Sequence, residues 1–261
     1  MSLMRSSISI TWAVWKALFL REAVSRLSAG RAAWLWILLE PLVHLIILNV
    51  LFGFILQQIV SGIDGGLFIT TGLLGFFMAQ NTALRCMDAI NANAALFAYR
   101  QVLAVDTVLV RAALEAVLLL ISALVLLLGL GLLDYKVVPQ DFLLVMVSFV
   151  ALWLTGLGLG LVLSVASELI PEVGKVAGMI FRLFYFLSGV MFPVSAIPPA
   201  YRDWFLLNPL VHGIECLRVG FFPQYHAIAG VSLTYLLGFA MVTMCLGLAL
   251  HVRFATRLVA Q

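Results

Sequence analysis

Charge is scarce in this sequence. Only 10% of its 261 residues are Asp, Glu, Lys or Arg, whereas soluble domains carry about a quarter. Apolar residues make up 64% of the chain, and its mean hydropathy is +1.15. A soluble domain of this length cannot bury so much apolar surface, so a soluble protein is excluded. The net charge of +3 is too small to indicate nucleic acid as a partner.

Cysteine is also scarce, and catalytic motifs are absent. Cys86, Cys216 and Cys245 lie far apart without CxxC spacing, so neither a disulfide framework nor a metal site is expected. The chain has no Walker, HExxH or GxSxG motif and no paired carboxylates. We therefore expect no enzyme activity and no cofactor in this chain. Its first ~30 residues also lack the apolar core and cleavage site of a signal peptide.

Long apolar runs are abundant. A helix needs about 20 residues to cross a hydrocarbon core of ~30 Å, and six stretches qualify. The sequence therefore predicts an all-α integral membrane protein with six transmembrane helices, in a single domain over residues 1–261. The predicted spans are Ala33–Leu56, Leu67–Leu84, Thr107–Leu133, Phe142–Ser164, Val176–Phe192 and Ala229–His251.

Lysine and arginine are distributed unevenly between the two sides of this topology. Because basic residues favour the cytoplasmic side, the more basic side is predicted to be cytoplasmic, with both termini on it. Eleven basic residues lie there: Arg5, Lys16, Arg21, Arg26, Arg31, Arg85, Arg100, Arg111, Lys175, Arg253 and Arg257. The three on the other side are Lys136, Arg202 and Arg218.

Residues 1–32 precede the first span. Apolar residues recur at roughly helical spacing over Ile8–Arg26, accompanied by tryptophans and basic side chains. This pattern is typical of an amphipathic interfacial helix lying on the cytoplasmic surface. The alternative is a disordered positive leader that only sets the topology.

Residues 193–228 fit neither a span nor an ordinary polar loop. Pro193, Pro198 and Pro199 are predicted to end any helix that begins upstream. Two short amphipathic runs follow, joined by the turn-forming pair Asn208-Pro209. Charged residues in both runs favour a periplasmic re-entrant helix pair between spans five and six, which would form an exit gate.

Five residues of this segment are candidates for the gate. Glu215 and Arg218 are three residues apart and can pair on one helix face, with His212 joining them in one polar cluster. If so, exchanging the two charges should restore part of the function lost by reversing one. Plain interfacial packing is the alternative. The candidates are Asn208, Pro209, His212, Glu215 and Arg218.

Polar residues inside the spans are costly in lipid and therefore informative. In the first span, Glu40 and His44 are four residues apart and share a face with Trp36. In the fifth, Arg182 lies among aromatic residues and shares a face with Tyr185, an arrangement suited to sugar or anionic ligands. These five are candidates for a substrate channel. Alternatively, Glu40 pairs with a basic residue of the leader, and Arg182 reaches towards the cytoplasmic headgroups.

Small residues recur in span four and indicate helix packing, not ligand binding. Gly156, Gly158, Gly160 and Ser164 lie in the middle of the membrane, and no Lys-Ser/Thr follows, so they do not form a phosphate loop. Their spacing is typical of close helix–helix contacts.

Residues 85–106 connect spans two and three on the cytoplasmic side. Any active transport would take its energy from a partner or an ion gradient, because the chain has no ATPase motif. The cytoplasmic segment Arg85–Arg111 is the natural docking surface for such a partner. Within it, a short helix over Asn91–Tyr99 is expected to dock in a groove of the partner, with Leu96 and Phe97 as its apolar anchors. The candidate coupling residues are Asn91, Asn93, Leu96, Phe97, Tyr99 and Arg100.

The order of these elements resembles the membrane subunit of an ABC exporter. The basic leader, the LWILLEP sequence at Leu35–Pro41 and the NPLVHGIE…R element carry the resemblance. The most similar branch is the capsular polysaccharide export permease of Gram-negative bacteria, related to the O-antigen and teichoic-acid exporters. The resemblance covers nearly the whole chain and is most specific in Trp36–Pro41 and Ser188–Arg218.

The resemblance implies a homodimer in the bacterial inner membrane, in contact with membrane lipid, above two ATPase subunits that bind ATP and Mg. It implies export of a lipid-linked polysaccharide to the periplasm, with a periplasmic adaptor and an outer-membrane channel as further partners. Aromatic and polar residues would line the channel, holding the polymer weakly at many places. Alternatives are an O-antigen, teichoic-acid or other ABC exporter permease, and a stand-alone secondary transporter. The last would show inverted repeats, which the sequence lacks.

Overall fold

In the computed structural model, the described residues are 7–28, 35, 39, 42–48, 50–51, 63–99 and 101–259. Helices dominate these ranges, which contain no strand. The helices are α1 (Ser7–Leu27), α2 (Gly65–Met87), α3 (Ala104–Gly131), α4 (Phe142–Leu169), α5 (Val173–Leu187), α6 (Pro199–Leu206), α7 (Pro209–Phe221), α8 (Leu233–Arg253) and α9 (Ala255–Val259). Two 3-10 helices cover Asn91–Ala98 and Val194–Ala196.

Within the described ranges, four helices, α2, α3, α4 and α8, are long and apolar enough to cross a membrane by length and composition. They correspond to four of the six predicted spans. The predicted first span is described only in part, and its residues 42–48 are helical. The predicted fifth span corresponds to α5, which has 15 residues. At about 1.5 Å per residue, α5 is roughly 22 Å long and too short to cross a ~30 Å core by itself.

The predicted end of the fifth span is wrong. The helix stops at Leu187, well before Pro193, and Ser188 and Gly189 begin a turn. Gly189 has a φ of +66°, in the left-handed region that glycine adopts without a steric penalty. The chain therefore turns at a glycine, and the prolines act only on the segment beyond it.

Helix α4 lies at the centre of the bundle and packs closely against α2 and α8. A Cβ atom at Gly156 would lie 2.5 Å from the carbonyl oxygen of Ala79 in α2. One at Gly160 would lie 2.5 Å from the Cβ of Cys86, also in α2. Gly158 faces Thr243 of α8 in the same way. The predicted packing role of these glycines is confirmed, since each admits a neighbouring helix where a side chain would collide.

We expect Gly156→Ala to destabilise the bundle by about 1–3 kcal/mol, because backbone atoms of α2 occupy the space of the new methyl group. Gly238→Ala in α8 is a matched control, since nothing lies within 4 Å of its Cβ position. The control should be neutral, or stabilising by up to ~1 kcal/mol through helix propensity. Thermal unfolding of the purified variants in detergent measures both. Equal melting temperatures would contradict the packing argument.

Helices α6 and α7 confirm the predicted helix pair joined at Asn208-Pro209. Asn208 caps α7 by accepting a hydrogen bond from the Leu210 amide at 3.0 Å, and Pro209 occupies the first helical turn. The amphipathic character predicted for the second run is wrong, because every residue of α7 except Val219 is buried. Helix α7 sits between α2, α4 and α8, so its charged residues point into protein.

Candidate functional site

A buried polar cluster lies on α7. The guanidinium of Arg218 donates from Nη1 to Oε1 of Glu215 at 3.0 Å, and the two residues are 0% and 1% exposed. The ion pair predicted from their spacing is therefore present. The Tyr225 hydroxyl donates to the same carboxylate, 2.9 Å from Oε1 and 2.8 Å from Oε2. Burial, and then the charge of Glu215, raise the pKa of Tyr225, so its hydroxyl remains a donor.

Two distant parts of the chain contact the Arg218 guanidinium, the turn after α5 and helix α2. It donates to the carbonyl oxygens of Val190 at 2.8 Å and Phe192 at 3.4 Å, both in the turn after α5. Its Cζ lies 3.7 Å from the centroid of the Phe68 ring in α2, a cation–π contact. Gly72 makes room for it, since a Cβ there would lie 2.6 Å from Nη2. Arg218 therefore fixes the α5–α6 connection against α2 and α7.

The predicted inclusion of His212 in this cluster is wrong. Its Nδ1 accepts a hydrogen bond from the Ser232 amide at 2.9 Å, and its Nε2 donates to the Leu206 carbonyl at 2.8 Å. Burial lowers the pKa of His212, which favours the neutral ring that this pattern requires. His212 therefore connects α6 to the start of α8, and both of its ring nitrogens are used outside the Glu215–Arg218 pair.

Two of the five channel candidates are brought together. His44 Nε2 lies 2.7 Å from the Tyr185 hydroxyl, and the two rings meet edge to face with centroids 5.4 Å apart. The Phe76 ring of α2 packs against Tyr185 at 5.2 Å. Arg182, by contrast, is exposed, whereas Tyr185 is half-buried. The other two candidates, Trp36 and Glu40, lie outside the described residues.

An apolar cleft of about 450 Å³ lies between α5 and the helix pair α6–α7. Asn208 and Pro209 line it, together with Leu207, which is 64% exposed. Four aromatic rings, those of Phe184, Trp204, Phe205 and Phe239, complete its walls. Such a surface can stack on flat apolar faces, including the C–H faces of sugar rings.

The predicted coupling segment forms the 3-10 helix Asn91–Ala98, but one predicted anchor is wrong. Phe97 is only 8% exposed and packs into the core beside Ile90 and Val108, so it cannot bind a partner. Asn93 is also buried, Leu96 is half-buried and Arg100 lies outside the described residues. Side chains at i and i+3 align on a 3-10 helix, and three alanines form such an exposed row. The exposed residues are Asn91, Ala92, Ala95, Ala98 and Tyr99.

An ion network that the sequence did not predict joins α1 to α3. Arg111 Nη2 lies 2.6 Å from Oε1 of Glu22, while Arg26 lies 3.8 Å from that oxygen and pairs with Glu115. Both glutamates and Arg111 are less than 9% exposed. The available signal was two opposite-charge pairs at four-residue spacing, one on each helix. Since α3 has 28 residues, roughly 42 Å, its first turns extend beyond the hydrocarbon core and can carry these charges.

Comparison of the sequence with known proteins shows which family the chain belongs to. Residues 13–222 match the family described as ABC-2 type transporter. The chain is 36% identical to the polysialic acid transport protein KpsM of Escherichia coli, over 95% of each chain. It is 31% identical to the capsule polysaccharide export inner-membrane protein CtrC of Neisseria meningitidis serogroup A, over 92% of this chain and 90% of CtrC. For BexB of Haemophilus influenzae, with the same description as CtrC, the identity is 25% over 96% and 94%. The chain belongs to the ABC-2 type transporter family.

Proposed function

We propose that this chain is the membrane-spanning permease subunit of an ATP-driven exporter that moves a lipid-linked capsular polysaccharide from the cytoplasm to the periplasm. The observation that carries the proposal is 36% identity, over 95% of the chain, to a polysialic acid transport protein. Two further relatives, CtrC and BexB, are described as inner-membrane proteins of capsule polysaccharide export. The chain is accordingly assigned to the bacterial inner membrane.

The proposed topology has six spans and two cytoplasmic termini. In it, α5 and the turn held by Arg218 together make the fifth crossing, and α6 and α7 re-enter from the periplasmic side as an exit gate. The excess of lysine and arginine on the predicted cytoplasmic side supports this orientation. The exposed stripe of α1, with Trp12, Lys16, Leu20 and Val24, suits contact with the cytoplasmic lipid surface.

The proposed assembly is a homodimer with two ATPase subunits, which bind ATP and Mg, a periplasmic adaptor and an outer-membrane channel. The exposed row of Asn91–Ala98 would meet the ATPase. Arg182 and the Tyr185–His44 pair would face the path between the two copies. The aromatic cleft at the gate supports a sugar polymer as cargo, because stacking holds any sugar ring without requiring one sequence of units.

Purification with a co-expressed ATPase tests the proposed function. We expect a stable complex whose ATP hydrolysis rises severalfold on addition of the lipid-linked glycan. The matched controls are the lipid anchor without glycan and the ATPase without this chain, and neither should show the increase. Failure to form a complex, or equal stimulation by the bare lipid, would overturn the proposal.

A further inference from the structure

The coupling segment Asn91–Ala98 is weakly held by its own hydrogen bonds. It is an eight-residue 3-10 helix, whose hydrogen-bond geometry is poorer than that of an α-helix. Only two of its residues, Asn93 and Phe97, are buried. Its position therefore depends on these two anchors. Phe97 supplies the apolar one, by packing beside Val108 of α3.

Asn93 supplies the polar anchor. Its Nδ2 donates to the carbonyl oxygen of Ala89 at 2.8 Å, in the turn that follows α2. Its Oδ1 accepts a hydrogen bond from Nη2 of Arg21 in α1 at 2.7 Å. The second bond is charge-assisted and joins residues 72 positions apart in the sequence. Arg21 therefore attaches the coupling segment to the leader helix.

Helix α1 is in turn fixed to α3 on both sides of Arg21. Before it, the Trp15 indole donates to Oδ1 of Asp106 at 2.8 Å. After it, the ion network joins Glu22 and Arg26 to α3. The network contains two glutamates and two arginines, so its charges balance. Moving α1 away from α3 would break these pairs and leave buried charges unpaired. The network therefore opposes separation of the two helices.

We propose that α1 is a tie between the coupling segment and α3, and that Arg21 is the positioning residue that makes the connection. The inference rests on the proposed function, in which an ATPase moves this segment. A displacement of Asn93 would then reach α3 through Arg21 and the ion network, as well as along the chain. Without Arg21, the ATPase would still bind the exposed alanine row, but its motion would be passed on less completely.

Hydrogen exchange of the purified full chain in detergent tests the tie without any ATPase. In Arg21→Ala, we expect the amides of residues 91–98 to exchange about fivefold faster, because one anchor of the segment is lost. Arg21→Lys should recover part of the protection by keeping a cationic donor. Lys16→Ala is the matched control, because it removes one positive charge from the same helix without touching Asn93. Unchanged exchange in Arg21→Ala, or equal acceleration in the control, would overturn the tie.

The complex with the ATPase tests the consequence of this tie for export. Arg21→Ala should copurify with the ATPase and hydrolyse ATP as the unaltered chain does, while export falls about fivefold or more. Asn93→Ala should also lower export, and export by the double variant should be little worse than by either single one. Unchanged export, or loss of ATPase binding, would overturn the coupling role. If even the unaltered chain binds no ATPase, the proposed function fails, whereas the exchange result still decides whether the tie exists.

Discussion

Replacing Arg218 with methionine is expected to destabilise the protein by about 3–5 kcal/mol, the largest effect on stability of any substitution considered. The change leaves the Glu215 carboxylate buried without its cation. It also removes the donor to the carbonyl oxygens of Val190 and Phe192, and the contact with Phe68. Thermal unfolding in detergent and abundance in the membrane should both fall.

Arg202→Met is the matched control for Arg218→Met. Arg202 also donates to two backbone carbonyl oxygens, those of Ile197 and Ser195, but it is only half-buried. Its replacement should cost less than about 1.5 kcal/mol. Equal losses for the two variants would contradict the role of Arg218 in fixing the α5–α6 connection.

The structure also alters the expectation for charge exchange within this pair. The i, i+3 spacing by itself predicts that Glu215→Arg combined with Arg218→Glu restores part of the lost function. A glutamate at position 218 cannot donate to the Val190 carbonyl, however, and it would face the Phe68 ring. We therefore expect no recovery of stability or export from the double exchange. Recovery would show that the backbone contacts of Arg218 contribute little.

Ala95→Asp combined with Tyr99→Asp is expected to abolish copurification of the ATPase. Both residues are exposed on the coupling segment, and Tyr99 is 67% exposed. In the docking groove of the ATPase, the two new carboxylates would lose their water without gaining an opposite charge. The stability of the permease should not change, because neither side chain is buried. Copurification from membranes and thermal unfolding of the permease alone measure the two effects separately.

The control for this pair is Ala255→Asp with Thr256→Asp, at exposed positions of α9 on the proposed cytoplasmic side. It should retain the ATPase, and loss of binding in both double variants would indicate a general effect of negative charge. Phe97→Asp provides a further contrast. It places a charge in the core, so it should lower the abundance of the permease itself.

The sequence by itself determined the features that depend on local composition and spacing. Apolar runs of sufficient length predicted α2, α3, α4 and α8, because the hydrocarbon core requires about 20 apolar residues per crossing. Asn208-Pro209 predicted the break between α6 and α7, since an asparagine cap and a proline favour the start of a helix. The three-residue spacing of Glu215 and Arg218 predicted their pairing. Each is a property of one short segment.

The tertiary structure decided which face of each segment is buried. The sequence predicts Asn91–Tyr99 as a short helix with Phe97 as an outward anchor, but only its packing on α3 shows that Phe97 points inward and the alanines outward. Helix α7 reads as amphipathic, but the surrounding helices cover its charged side as well. The periodicity of a single segment cannot distinguish a face turned towards lipid from one turned towards protein.

The tertiary structure also decided every long-range polar contact. Arg21 bonds a residue 72 positions away, and Trp15 one 91 positions away. Arg218 bonds the carbonyl of Val190, 28 positions away. Backbone carbonyls are present at every residue, so nothing in the sequence distinguishes those that will accept such a bond. The free-energy cost of leaving a buried charge unpaired selects these contacts, and that cost arises only once the helices have packed.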